Sequence, residues 1–176
     1  MSDPDDHVAD DPVGEQVTAT AIAVATPLGL TVEVLHCDPV LADTAAFCAA
    51  YGVAMEDSAN AILVAGKSDP PRHVACVVLA TTRLDVNGVV RRRLEVRKAS
   101  FAGADETAAL TGMTIGGVTP FALPAGLPLW IDAAVMTRAA VVVGGGSRSR
   151  KLVVPPALLA ALPGAEVLDG LARPAG

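Results

Sequence analysis

The sequence predicts a mixed α/β (α+β) fold built as a single domain, on three observations. At 176 residues the chain is long enough for one core, and a second would leave each half very small. Hydrophobic residues make up 52% but aromatic ones only 3%, so Val, Ala, Leu and Ile must fill that core, which suits a sheet covered by small helices. Short apolar strands and short helices follow one another without the strict strand–helix alternation of a doubly wound sheet.

Residues 1–15 are acidic, contain Pro4 and Pro12 and show no apolar periodicity, so they are expected to form a disordered tail, with the domain spanning 16–170. Apolar residues near helical spacing predict a first helix over 16–28, stopped by Pro27 and Gly29. Alternation over 30–36 predicts a half-buried strand, after which Asp38 and Pro39 turn the chain. Asp43 or Thr44 then caps a helix whose Ala45, Phe47, Cys48 and Tyr51 form a small apolar face ended by Gly52.

The Val-, Ile- and Leu-rich runs 61–65 and 74–81 flank a turn at 66–71 and predict a buried hairpin. Residues 85–93 predict a helix capped by Asp85 with its arginines near the C-terminal end, where the helix dipole favours them. Asp105 and Glu106 open a helix over 104–110 that Gly112 ends. Strands are expected at 129–132, 140–143 and 152–154, and a last helix at 155–162.

Composition excludes several function classes. The longest apolar runs fall far short of the ~20 residues of a membrane span, and the acidic N-terminus lacks the basic and apolar regions of a secretory signal. The expected location is cytoplasmic. Cys37, Cys48 and Cys76 form no CxxC pair, and His7, His36 and His73 show no metal-ligand spacing, so neither a metal nor another cofactor is predicted. No Ser-His-Asp or Cys-His arrangement at recognisable spacing supplies a protein nucleophile.

The net charge of −6 conceals an asymmetry: residues 1–66 hold 11 acids and no Lys or Arg, while the rest hold 13 basic and 8 acidic residues. Arg91, Arg92, Arg93, Arg97 and Lys98 crowd together, either as a dock for a phosphate-bearing partner or as a solvated helix face. His36, Cys37 and Asp38 are consecutive on an extended segment and point to opposite faces, which argues against a catalytic trio. Asp57 and Ser58 before Asn60 are either substrate contacts or an ordinary turn into a strand. Asp132, at a strand end, is either a pocket acid or a cap.

The stretch TGMTIGGVTP, Thr111 to Pro120, interrupts apolar sequence with three glycines and a proline. Glycine permits positive φ and close approach of a ligand, so Gly116 and Gly117 followed by Pro120 can aim main-chain N–H groups at a carbonyl oxygen or the anion formed from it. Taken with Lys98 to Ala102, Leu110-Thr111-Gly112, Ile131-Asp132 and Gly144-Gly145-Gly146, in this order and spacing, the chain resembles the YbaK/EbsC family of free-standing aminoacyl-tRNA deacylases. That family shares its fold with the editing domain inserted in bacterial prolyl-tRNA synthetases. The resemblance spans roughly residues 30–162.

The resemblance implies a YbaK-like domain with a central mixed, partly barrel-like sheet surrounded by short helices. It implies hydrolysis of the ester joining an amino acid to the 3′ end of tRNA, with Gly116, Gly117 and Pro120 at the pocket. Backbone amides would hold the aminoacyl carbonyl, and water would attack with help from the neighbouring ribose hydroxyl. Thr111, Gly112, Ser58, Asp132, Gly144 and Gly145 are the further substrate-binding candidates; Arg97, Lys98, Arg148, Arg150 and Lys151 are the tRNA-binding ones. Where the family carries a pocket lysine this chain has Asn60, which hydrogen-bonds without charge. Near Gly144 the family has a serine before its glycine pair and an acidic residue later, where this chain has Gly144 and, approximately, Lys151. The basic wall has then shifted to the GGGSRSRK loop, or that loop is a solvated hairpin.

The leading expectation is a trans-editing deacylase whose partners are the tRNA acceptor end and, as a further option, an aminoacyl-tRNA synthetase. The alternative is a weakened binding module for aminoacyl-tRNA or a related aminoacyl or nucleotide conjugate, supported by Asn60. Met55, Ile115, Val118 and Phe121 are the side chains expected to set pocket volume.

Overall fold

The computed structural model describes residues 10–175, so most of the expected acidic tail lies outside the described residues. The first helix, α1 (Pro12–Ala25), starts earlier than its apolar spacing suggests. Asp11 is its N-cap and accepts from the Gly14 N–H at 3.0 Å, while Pro12 occupies a first-turn position where a missing N–H costs nothing. Residues 12–15 thus belong to the helix. One stripe of α1, Gly14, Val17, Ala21 and Ala25, is buried.

Strand β1 (Glu33–His36) precedes α2 (Thr44–Tyr51), which ends on Gly52 at φ +68°, a left-handed conformation that glycine adopts without steric cost. Strands β2 (Ala59–Gly66) and β3 (Arg72–Leu79) form the expected antiparallel hairpin, registered from Ala59 opposite Leu79 to Gly66 opposite Arg72. Past β4 (Thr82–Leu84), Asp85 accepts from the N–H groups of Gly88 and Val89 and starts a wide turn, Val86–Val90, that runs into the short α3 (Arg91–Arg93). Next come β5 (Ala99–Phe101), α4 (Ala104–Thr111) and β6 (Leu129–Asp132), then β7 (Val141–Gly144), β8 (Arg150–Val154) and α5 (Pro156–Ala160). The chain ends with β9 (Ala165–Leu168) and β10 (Ala172–Pro174).

The main sheet has the order β5-β2-β3-β6-β9 and is mixed, with β3, β6 and β9 parallel and the remaining pairs antiparallel. A second antiparallel sheet has the order β1-β8-β7, and β4 pairs with β10. A single parallel bridge from Ser58 to Val142 links β7 to the residue preceding β2. The two larger sheets therefore meet at one corner, and among the described residues no closed barrel forms.

Alternation along β3 divides the core. Ala75, Val77 and Leu79 face a cluster with Ile131, Val143, Leu152, Leu158 and α1, while Val74, Cys76 and Val78 face one with Trp130, Val90, Leu94 and Leu171. Each fully buried Val or Leu contributes about 1.5–3 kcal/mol relative to exposure, so the scarcity of aromatics is offset by the number of aliphatics. A third cluster, Cys37, Ala42, Phe47, Cys48 and Val142, lies under α2 and packs it on the outer face of the second sheet. The three cysteines are free and buried, and burial pushes the Cys76 thiol up to about 12. No described helix is long and apolar enough to cross a membrane.

Candidate functional site

The corner where the sheets meet opens a cavity of about 300 Å³ between α2, β2, β7 and the loop after α4. Its walls are largely apolar: Phe47, Ile62, Leu63, Phe101, Ile115 and Val142 are among them. The polar side chains are few, namely Asp43, Thr44, Ser58, Asn60, Thr107 and Lys151, and Gly116, Val118 and Gly144 complete the wall. A small apolar cleft with a handful of placed polar groups is the usual form of a ligand site.

Asn60 is half-buried on β2, and its Oδ1 accepts from the Thr44 hydroxyl at 2.6 Å. That bond commits the carbonyl end of the amide and leaves its NH2 to donate. The lysine absent from this position is matched by one arriving from the other side of the cavity. Lys151, on β8, is only 7% exposed; its Nζ donates to the carbonyls of Ala42 at 2.7 Å and Gly116 at 2.8 Å. The ammonium also lies 5.5 Å from the centre of the Phe47 ring. Burial pulls its pKa below the ordinary 10.5, and the nearby Arg148 acts in the same direction. Cys37 and Asp43 oppose the shift, but the Cys37 thiol is itself pushed up by burial and carries no charge at neutral pH to do so.

The glycine loop is held by close backbone packing. Gly117 donates its N–H to the Thr114 carbonyl at 2.9 Å and accepts from the Gly146 N–H at 2.7 Å. A Cβ on Gly117 would lie 2.6 Å from the Ser147 backbone, and one on Gly144 only 2.1 Å from the Val118 carbonyl oxygen, so both positions require glycine for close approach. Gly116 sits at φ +92°. Among the described residues the N–H groups of Gly116 and Val118 have no partner, and both residues line the cavity. The unengaged amides are thus those of Gly116 and Val118, with Gly117 between them engaged in the loop itself.

The expected residues separate into four groups. Asn60, Ser58, Gly116, Gly144 and Lys151 line the cavity. Gly117 and Gly145 support it from behind, Gly145 packed against Arg150 and Pro120 buried beneath the loop. Thr111 hydroxyl donates to the Thr107 carbonyl and accepts from the Met113 N–H, and Gly112 terminates α4 at φ +73°, so these two shape the loop's entry. Asp132 lies away from the cavity wall: its carboxylate accepts from the N–H groups of Ala134 and Ala172, which makes it a cap and a tie to β10. Ile115 and Val118 line the cavity as expected, whereas Met55 packs under α2 and Phe121 is wholly buried in the core.

The basic candidates also divide. Arg150, 6% exposed, turns inward onto Asp11 at 2.9 Å and Thr18 at 3.1 Å, a position that withdraws it from any surface wall. Arg148 braces the rim, donating to Pro39 O at 2.9 Å, Ile115 O at 2.9 Å and Asp43 at 3.1 Å. Arg97 and Lys98 line a separate groove beyond β5. Asp43 and Thr44, the alternative helix caps, and Phe101 of the Lys98 to Ala102 motif also lie on the cavity wall, as does Thr107, which no motif marks. Among the described residues no group of three or more His, Cys, Asp or Glu is placed to hold a metal ion.

Comparison with known proteins agrees with this fold. The profile of the aminoacyl-tRNA editing domain matches residues 38–162. A crystal structure described as a candidate trans-editing enzyme for prolyl tRNA synthetase superposes with a TM-score of 0.77 at 22% identity, covering 92% of this chain and 98% of that one. A protein described only as hypothetical gives 0.74 at 26% identity, covering 93% and 100%. A candidate signal transduction protein from Marinobacter aquaeolei VT8 gives 0.58 at 18% identity, where the match covers 93% of this chain but 31% of the other. No curated protein matches the chain.

Proposed function

The chain belongs to the aminoacyl-tRNA editing domain family, and we propose that it hydrolyses the ester of mischarged aminoacyl-tRNA, acting in trans in the cytoplasm and in concert with a synthetase. The observation that carries this proposal is the cavity wall lined by Gly116 and Val118, whose N–H groups have no partner among the described residues, with the Lys151 ammonium held on the Gly116 carbonyl. Two N–H donors next to a fixed positive charge in an apolar cleft favour an ester carbonyl oxygen, and favour it more as negative charge develops there. The reaction then needs no protein nucleophile. Water adds to the carbonyl with help from the neighbouring ribose hydroxyl of the substrate, and the C–O bond to the tRNA breaks, releasing the amino acid and the free 3′ end.

The Asn60 NH2, oriented by Thr44, is placed to donate to a substrate oxygen. Lys151 supplies from β8 the charge that the family places on β2. A cavity of about 300 Å³ is at the lower end of the ~300–1,000 Å³ of ligand sites, which favours a small amino acid. The alternative is a recognition module that binds aminoacyl-tRNA without turnover; the neutral Asn60 at the lysine position favours it. Multiple-turnover deacylation of a panel of mischarged tRNAs decides between them, since release of one amino acid beyond one equivalent of protein requires catalysis and stoichiometric retention requires binding alone.

A further inference from the structure

We infer that the edge of the main sheet outside the cavity is a subsite for the nucleotides that precede the ester, with the Phe101 ring stacking on a base and the groove beyond it holding phosphates. This inference rests on the proposed action on aminoacyl-tRNA.

Two observations carry it. The first is charge without counter-charge. Arg72, Arg93, Arg138, Arg148, Arg150 and Arg173 each pair with a carboxylate. A groove of about 560 Å³ beside β5 is lined by Lys67, Arg91, Arg97, Lys98, Asn87 and Ser100 with no acidic residue on its wall. Among the described residues none of its four cations pairs with a carboxylate; Arg91 donates only to the carbonyls of Asn87 and Arg97. Such a groove attracts a polyanion, and releases counter-ions when one binds.

The second is the position of Phe101. It is 58% exposed in a chain with three Phe, one Tyr and one Trp, on β5 at the open edge of the main sheet. Phe101 lines the ester cavity, while the preceding Ala99 and Ser100 of the same strand line the cationic groove. A strand of RNA whose last residue enters the cavity must cross this strand to reach the groove. An aromatic ring between a cationic track and an apolar cleft is an arrangement by which proteins hold single-stranded nucleic acid, since every base offers a face to stack.

The test uses an RNA hairpin with a single-stranded CCA 3′ end, its binding followed by fluorescence anisotropy over a salt series, with deacylation of the corresponding aminoacyl-tRNA measured alongside. Phe101→Leu keeps an apolar side chain at an exposed position and is expected to weaken binding by roughly tenfold without changing the salt dependence. The double variant Arg97→Gln/Lys98→Gln is expected to lower the slope of log affinity against log salt by about 0.7 per charge removed. Arg92→Gln, the loss of one charge outside the groove, sets the background per charge, and thermal unfolding verifies that each variant is folded. Wild-type affinity and slope in both the Phe101 and the groove variants would overturn the subsite even if the protein deacylates tRNA. Variant effects on binding as expected, in a protein with no hydrolysis, would sustain the subsite and remove the hydrolytic proposal.

Discussion

Asp11 Oδ2 lies 2.9 Å from Arg150 Nε, both side chains less than a tenth exposed, and the same carboxylate oxygen accepts from the Ser147 hydroxyl at 2.7 Å. The N-cap of α1 thereby anchors the loop that precedes Lys151, whose ammonium lies on the cavity wall. Breaking a buried pair leaves the remaining charge without compensation. Asp11→Ala is expected to cost about 3–5 kcal/mol in urea unfolding, whereas Asp11→Ala combined with Arg150→Met recovers most of it. Equal stability of the single and double variants would show that the pair is not the anchor.

Lys151 gives a prediction in two parts. Lys151→Met removes charge-assisted hydrogen bonds to two carbonyls, each worth about 1.5–3 kcal/mol, and is expected to lower kcat/KM by tenfold or more. Because burial lowers its folded pKa, the unfolded chain binds more protons between that value and 10.5. The cost of burying the charge is therefore fully present below the folded pKa and is relieved as pH rises through it. Activity that depends on the ammonium should fall over the same range, so an alkaline limb below 10.5 in the wild type is the check.

Gly144→Ala drives a Cβ against the Val118 carbonyl oxygen at 2.1 Å. Relief requires the two loops to part, which is expected to cost about 1–3 kcal/mol and to abolish most activity by moving the Val118 amide. Retained activity would mean that the loop packing does not set the site.

Asp85 is the cap of the wide turn before α3. Burial pushes its carboxyl up, but the N–H groups of Val89 and Gly88 together with Arg173 outweigh this and hold it below the ordinary 3.8. Its contribution is thus present above that ordinary value and is lost as pH falls through the folded pKa. Asp85→Ala should cost about 1 kcal/mol at neutral pH, and unfolding curves of the two proteins should converge in acid.

Much of this architecture is legible in the sequence, because period-2 alternation and glycine stops are local signals. The hairpin of β2 and β3, the Gly52 and Gly112 helix ends and the Asp85 cap follow from them directly. The start of α1 was obscured by Asp11-Pro12, which looks like tail composition although an acidic cap followed by proline is also a helix start. Strands β4, β5, β9 and β10 have three or four residues each, and their pairing is decided by partners far along the chain. The site was legible as a glycine loop, but its engaged and unengaged amides were not. Whether Gly117 or Val118 presents a spare N–H depends on the Thr114 carbonyl and the Gly146 amide, which only folding brings together. Arg150 and Lys151 are adjacent basic residues in one sequence motif, yet on a strand they face opposite sides; one meets Asp11 and the other enters the cavity.

Multiple-turnover deacylation of mischarged tRNAs by the wild-type protein beside Asn60→Lys decides whether this cavity turns over an aminoacyl ester with its lysine supplied from β8. Wild-type turnover of at least one species is predicted. Asn60→Lys, which sets a second ammonium in the cavity that holds Lys151 and takes the acceptor from Thr44, is predicted to be slower. A wild-type protein that binds tRNA without releasing amino acid, with hydrolysis appearing only in Asn60→Lys, would contradict a hydrolytic role and assign the chain to recognition.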